Sequence, residues 1–240
     1  MAASKNSGEP SPGAKKSPGS NHHEVFSASH ASHLDSRFRR FFYRPDRLAE
    51  RFVQPGDLVL DFGCGPGFFT REFAKRSGDT GRVFAVDVQP EMLRILKERL
   101  GPEGLMPRIR MHQCASDSIN LPPEWNGRID MAFAIFVVHE VPDSKQLFRE
   151  IHALLKPGGQ VFFAEPLFIV RGDEFRNSLL NAQDVGFELV ETTSLFIHRA
   201  AVLKKSVCNA SSRNVSSTIS SSVPDATAIL PFRWDCLQSP

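Results

Sequence analysis

One nine-residue stretch constrains this chain more than any other. Val59-Leu60-Asp61-Phe62-Gly63-Cys64-Gly65-Pro66-Gly67 is an apolar run that ends in alternating glycines. A strand that stops in a glycine turn ahead of a helix lets a ligand approach the backbone where side chains would collide, and it presents unpaired N–H groups. By itself that pattern says only that the ligand is nucleotide-like. Three details separate it from a dinucleotide site. Position 68, where the fingerprint G-x-G-x-x-G needs its third glycine, is Phe68. Pro66 removes a backbone donor that a pyrophosphate would use. Asp61 places a carboxylate at the strand end, which repels phosphate and attracts an ammonium group. The loop therefore suits a ligand with an amino-acid moiety, and a dehydrogenase is the least favoured reading.

Around this stretch, apolar runs of strand length alternate with amphipathic stretches, the pattern of βαβ units and a parallel sheet. The runs fall at 58–62, 83–87, 109–114, 129–138 and 160–164, and 187–196 with 198–203 reads as a closing hairpin around Ile197. Helical spacing runs through Phe68, Phe69, Phe73 and Ala74, through Met92, Leu93, Leu96 and Leu100 behind Pro90, and over 144–155 and 173–185. About seven strands result, in one domain over residues 31–205. Residues 1–30 and 206–240 are too poor in core-forming side chains to offset the entropy of ordering, so disorder is expected of both tails.

Charge and cysteine usage narrow the class. Residues 1–45 hold seven Lys/Arg against three Asp/Glu, while the chain as a whole carries only +2, so the core is weakly acidic. It offers no electrostatic footprint for a nucleic-acid backbone. Cys64, Cys114, Cys208 and Cys236 form no CxxC pair and no metal-ligand spacing with the histidines, which fits reduced thiols and no metal. No stretch approaches the ~18 apolar residues of a membrane span, and no secretion signal opens the sequence; a cytoplasmic protein is expected.

Asp87 ends the second run, 20 positions after Gly67, where a carboxylate can accept hydrogen bonds from both hydroxyls of a ribose. Asp117, beyond the third run, can accept an adenine amino hydrogen. Ammonium, ribose diol and adenine are the polar parts of S-adenosylmethionine. Residues 55–165 resemble the class I S-adenosylmethionine-dependent methyltransferases, in particular the small-molecule branch similar to the ubiquinone/menaquinone-biosynthesis enzymes. The likeness lies in four places: the quoted motif against the family's hhDhGxGxG signature (h for an apolar residue), Ala85-Val86-Asp87 at the ribose-binding position, Cys114-Ala115-Ser116-Asp117 on the adenine side, and Leu154-Leu155-Lys156-Pro157-Gly158-Gly159 before the fifth strand. The resemblance implies a Rossmann-like, doubly wound α/β domain whose seven-stranded sheet is mostly parallel with its last strand antiparallel. It implies cofactor binding by Asp61, Gly63, Cys64, Gly65, Gly67, Asp87, Val88, Met92, Ser116, Asp117 and Phe133, with Met92 against the adenine and Phe133 in the strand that borders the methyl group.

His139-Glu140 follows the fourth run. A zinc-peptidase H-E-x-x-H motif would need a second histidine where the chain has Asp143, and Pro142 disfavours the helix, so a metal site is rejected. His139 as a general base oriented by Glu140 is the catalytic expectation, beside the plainer reading of a pocket-shaping histidine. Glu165 could face the acceptor or cap a loop, and Tyr43, His198 and Arg199 are weaker candidates. The segment Arg37-Phe38-Arg39-Arg40-Phe41-Phe42-Tyr43-Arg44 reads as a lid helix. The run Phe133-Ala134-Ile135-Phe136-Val137-Val138-His139-Glu140 lacks the Asn/Asp-Pro-Pro-Tyr/Phe signature of enzymes that methylate exocyclic amines of bases, or glutamine. A small or lipophilic acceptor is therefore expected, with a protein or RNA methyltransferase guided by the basic arm, or a non-catalytic cofactor-binding partner protein, as the alternatives.

Overall fold

The computed structural model describes residues 37–206, so the expectations for residues 1–30 and for 207–240 lie outside the described residues. Two short helices come first, α1 (Arg37–Tyr43) and α2 (Pro45–Phe52). There follow β1 (Leu58–Phe62), α3 (Thr70–Ser77), β2 (Arg82–Asp87), α4 (Pro90–Leu100), β3 (Ile109–Gln113), β4 (Ile129–Ile135), α5 (Ser144–Leu154), β5 (Leu155–Glu165), α6 (Gly172–Asp184), β6 (Phe187–Leu195) and β7 (His198–Lys205). The seven strands form one sheet in the order β3-β2-β1-β4-β5-β7-β6. β1 to β5 pair in parallel, and β7 runs antiparallel to both its neighbours.

Alternation along the central strands divides the core into two layers. Val59, Val83, Ala85, Met131 and Phe133 pack with α2, α3 and α4 on one face. Leu60, Phe62, Phe84, Val86, Ala132 and Ala134 pack with α5 and α6 on the other. The strand order reverses between β1 and β4, and the crevice above that switch point is where an open α/β sheet holds its ligand.

The structure departs from the sequence expectation at three boundaries. α3 begins at Thr70, because Gly63 to Phe69 stays a turn. β4 stops at Ile135, where Phe136 takes the left-handed conformation at φ 61°. β5 begins at Leu155, five residues early, because Leu155 pairs with Ile129 across an irregularity in the ladder. Gly159 makes that junction possible, since a Cβ there would stand 3.0 Å from the Lys156 carbonyl oxygen.

Candidate active site

A cavity of about 340 Å³ opens at the strand ends of this switch point. Its floor is the glycine loop. The N–H groups of Gly63 and Cys64 both donate to the Val86 carbonyl, at 2.8 and 3.0 Å, which ties the loop to the end of β2. The two oxygens of Asp87 then accept from the N–H of Gly65 at 2.8 Å and of Gln89 at 2.9 Å. One carboxylate thus braces the loops after β1 and β2 while lining the cavity. Burial raises its pKa, the backbone bonds opposing the shift.

Each glycine of the loop has a distinct task. Gly63 sits at φ 70°, and a Cβ there would meet Cγ2 of Val137 at 2.5 Å. Gly65 sits at φ 53° with nothing within 4 Å of its Cβ position, so it faces open space. Gly67 lets the loop pack on α4, where a Cβ would touch Leu96 at 2.9 Å. Gly63→Ala combines a left-handed backbone with an overlap that Val137 cannot yield easily, which together cost about 2–4 kcal/mol. The expected result is a thermal midpoint several degrees lower and a weakened ligand site, read by a melting curve with and without ligand.

Of the residues singled out from sequence, Gly63, Cys64, Gly65, Asp87, Val88, Met92, Ser116, His139 and Glu140 all line the cavity. Four do not. Asp61 lies one layer below the wall, 3% exposed, with its Oδ2 accepting from the Thr70 hydroxyl at 2.6 Å. Burial pushes its pKa up to about 7, the Thr70 bond opposing and the Asp87 charge adding. Gly67 is a packing glycine, as above. Asp117 lines a neighbouring cavity of about 370 Å³ that shares Phe62, Ser116 and Val141 with the first. Phe133 is fully buried on the α3 face and stacks on Phe73 with centroids 4.0 Å apart. The expectation for Phe133 followed from its place in β4, but strand alternation turns its ring into the core.

The opposite wall carries the side chains that could do chemistry. His139 stands on a 3₁₀ turn just past β4, and its Nδ1 lies 2.5 Å from Oε2 of Glu165 at the end of β5. The sequence pointed to Glu140 as the orienting carboxylate; the structure gives that place to Glu165. Any doubly wound sheet sets the ends of strands four and five side by side, and that was the available signal. Burial alone would lower the His139 pKa, but the hydrogen bond and charge of Glu165, with the charge of Glu140, raise it. Glu140 is raised by burial and by Asp87 and Glu165, His139 opposing. Burial raises the thiol of Cys64 well above its ordinary value and that of Cys114 to about 11, so neither is a thiolate nucleophile.

A second histidine faces the first from β7. The Leu167 N–H donates to Nδ1 of His198 at 3.1 Å, so the ring proton sits on Nε2 and points to the Tyr43 hydroxyl, 3.0 Å away. Burial lowers the His198 pKa and keeps the ring neutral. Tyr43 thereby anchors α1 over the cavity, with its ring among Phe68, Phe136 and Phe196. The lid reading of this helix rested on an inward phenylalanine face; Tyr43 lines the cavity while Phe41 is 74% exposed. Among the described residues no group of three or more His, Cys, Asp or Glu could hold a metal ion, and no described helix is long and apolar enough to cross a membrane.

The sheet order, the braced glycine loop and the strand-end carboxylate define a class. Residues 59–159 match the methyltransferase-domain family. The chain is similar to the ubiquinone/menaquinone biosynthesis C-methyltransferase UbiE of Hydrogenovibrio crunogenus, 33% identical over 113 residues that make up 47% of this chain and 43% of that protein. It is also similar to the UbiE of Bordetella avium, 32% identical over 113 residues, 47% of this chain and 42% of the relative. It thus spans less than half the length of these curated relatives. Among solved structures, a SAM-dependent methyltransferase from Aquifex aeolicus superposes with a TM-score of 0.67 at 23% identity, over 75% of this chain and all of that one. The geranyl diphosphate C-methyltransferase of Streptomyces coelicolor, solved with S-adenosyl-L-homocysteine, superposes at 0.57 with 15% identity, over 68% of this chain and 77% of its own. At these identities the two structures speak to the fold.

S-adenosylmethionine is the cofactor that the match to methyltransferase domains and the fold support, and the cavity fits it. Asp87 offers a diol its free lone pairs, Val88 and Met92 give a flat base an apolar wall, and the space over Gly65 is the kind that a ligand fills and a Cβ would obstruct.

Proposed function

We propose that this protein transfers a methyl group from S-adenosylmethionine to a small or lipophilic acceptor. The observation that carries this reading is the shape of the cavity: the cofactor-type wall and a wall of Ile135, Phe136, Pro166, Ile169 and Tyr43 belong to one continuous cleft. When bound, S-adenosylmethionine supplies an electrophilic methyl on a sulfonium that is already a good leaving group. Asp87 would hold the ribose, Met92 and Val88 the adenine faces, and Ser116 with Asp117 the adenine edge. The buried carboxylate of Asp61 would favour a cationic ligand through the loop above it. The apolar wall excludes water and holds the acceptor, and such positioning accounts for most of the acceleration in a displacement of this kind.

The likeness to enzymes whose names specify C-methylation of quinone precursors supports an aromatic or isoprenoid acceptor here. A cavity of this size favours a small molecule over a nucleic acid. Calorimetric titration with S-adenosylmethionine, S-adenosylhomocysteine and NAD tests the cofactor. Micromolar binding of the two sulfur nucleotides with none of NAD is the expected result. Binding of NAD alone would overturn the reading.

A further inference from the structure

We propose that His139 is the base that takes the acceptor's proton, that Glu165 is the positioning residue that holds it for this, and that the acceptor is a weakly acidic one: a phenol, an enol or an activated carbon acid. This rests on the methyltransferase reading above and names its substrate class. Methylation of a thioether or a tertiary amine needs no base. A site with a built histidine–carboxylate pair beside the methyl-transfer cavity is made for an acceptor that must lose a proton.

The geometry fixes which nitrogen does the work. A carboxylate can only accept, so the 2.5 Å contact with Glu165 places the neutral ring's proton on Nδ1 and its lone pair on Nε2. His139 lines the cavity whereas Glu165, 2% exposed, lies behind it, so the ring edge that carries Nε2 is the one turned to the cavity. Oε1 of Glu165 is buried with no hydrogen-bond partner among the described residues. The carboxylate is therefore committed to the imidazole, and a positive ring beside it is strongly favoured. The charge of Glu140, on the same turn, acts on His139 in the same direction as Glu165; Asp87 lines the same cavity and acts on Glu140, whose pKa it raises. Burial keeps His198 neutral, and it is excluded as the base because the Leu167 N–H occupies its one lone-pair nitrogen while its Nε2 faces the Tyr43 hydroxyl.

The step balances. The acceptor's X–H bond breaks and leaves its electron pair on X, the proton goes to Nε2, and the imidazolium is stabilised by Glu165. The acceptor exchanges H⁺ for CH₃⁺, the cofactor leaves as a neutral thioether, and the proton passes from His139 to water after release.

The test begins with the unliganded protein. Heteronuclear NMR of labelled histidines, assigned with His139→Gln, follows the His139 ring as pH is varied. In the wild type it should titrate above the ordinary histidine value of about 6.5. Glu165→Gln should lower that midpoint by about one unit or more, and Glu165→Asp should restore most of it. A midpoint at or below the ordinary value, or one indifferent to Glu165→Gln in a protein that still melts cooperatively, would overturn the proposal. Labelled-methyl transfer to 1-naphthol and to a tertiary amine supplies the second arm. Transfer to naphthol only, cut about 10²–10⁴-fold in His139→Gln, is the expected result; transfer to the amine only would overturn it. The titration needs no cofactor, so its failure is distinct from a failure of calorimetric cofactor binding.

Discussion

Replacing Phe133 with alanine should destabilise the protein by about 3–5 kcal/mol, as expected of a large ring lost from a fully packed site. Phe133 is 0% exposed, stacks on Phe73 at 4.0 Å and meets Phe52 and Phe162 edge-on or tilted at 6.4 and 6.1 Å. α2, α3 and β5 cannot all move inward to refill the space, since each also holds a second contact in the same layer. Urea denaturation monitored by circular dichroism measures the loss directly. The experiment also decides between two roles for this residue. A ring that touched the cofactor would weaken ligand binding with little loss of stability, whereas the core position demands the reverse. A variant of wild-type stability that fails to bind S-adenosylmethionine would contradict the packing described here.

Asp87→Ala should abolish measurable binding of S-adenosylmethionine, with a loss of at least a hundredfold. Two effects add. In the proposed binding mode the charged acceptor for the ribose hydroxyls disappears, and a hydrogen bond to a charged group is worth roughly 1.5–3 kcal/mol. The N–H groups of Gly65 and Gln89 also lose the oxygens that fix them, so the loop must be ordered at the ligand's expense. Together these come to about 3–5 kcal/mol, which is a factor of a few hundred to a few thousand in Kd. Asp87→Asn, which keeps the shape and one acceptor oxygen, should fall between the two. Calorimetry separates them, and a protein that binds normally without the carboxylate would remove Asp87 from the site.

The half of the cavity built on the glycine loop was legible in the sequence because its constraints are local. A strand end, a glycine turn and a carboxylate at the end of the next strand follow one another within thirty residues, and each has a backbone reason to be where it is. Asp61 was legible by position but not by depth: strand alternation turns it toward Thr70 and away from the cavity wall. The same alternation misled the expectation for Phe133. The partner of His139 was missed for a different reason. Glu140 is adjacent in sequence, but adjacent residues on a tight turn point apart, while Glu165 arrives from the neighbouring strand after 25 intervening residues. Tyr43 and His198, 155 positions apart, meet through tertiary packing that no local pattern encodes. The early start of β5 was hidden because Pro157-Gly158 reads as a loop, although the ladder tolerates it at an irregularity.

The cavity is assembled from two stretches of chain with different freedoms. The glycine-loop wall, together with Ile135, Phe136 and His139, comes from residues 59–159, the segment that matches the methyltransferase family, while Tyr43, Pro166, Ile169 and His198 reach the same space from outside it. The first wall is a glycine turn braced on the ends of two central strands, so the sheet itself dictates its shape. The second wall hangs on a helix, a loop and a hairpin strand that the rest of the sheet does not dictate. A lineage could exchange these three pieces and so change what is methylated, leaving the machinery that delivers the methyl group untouched.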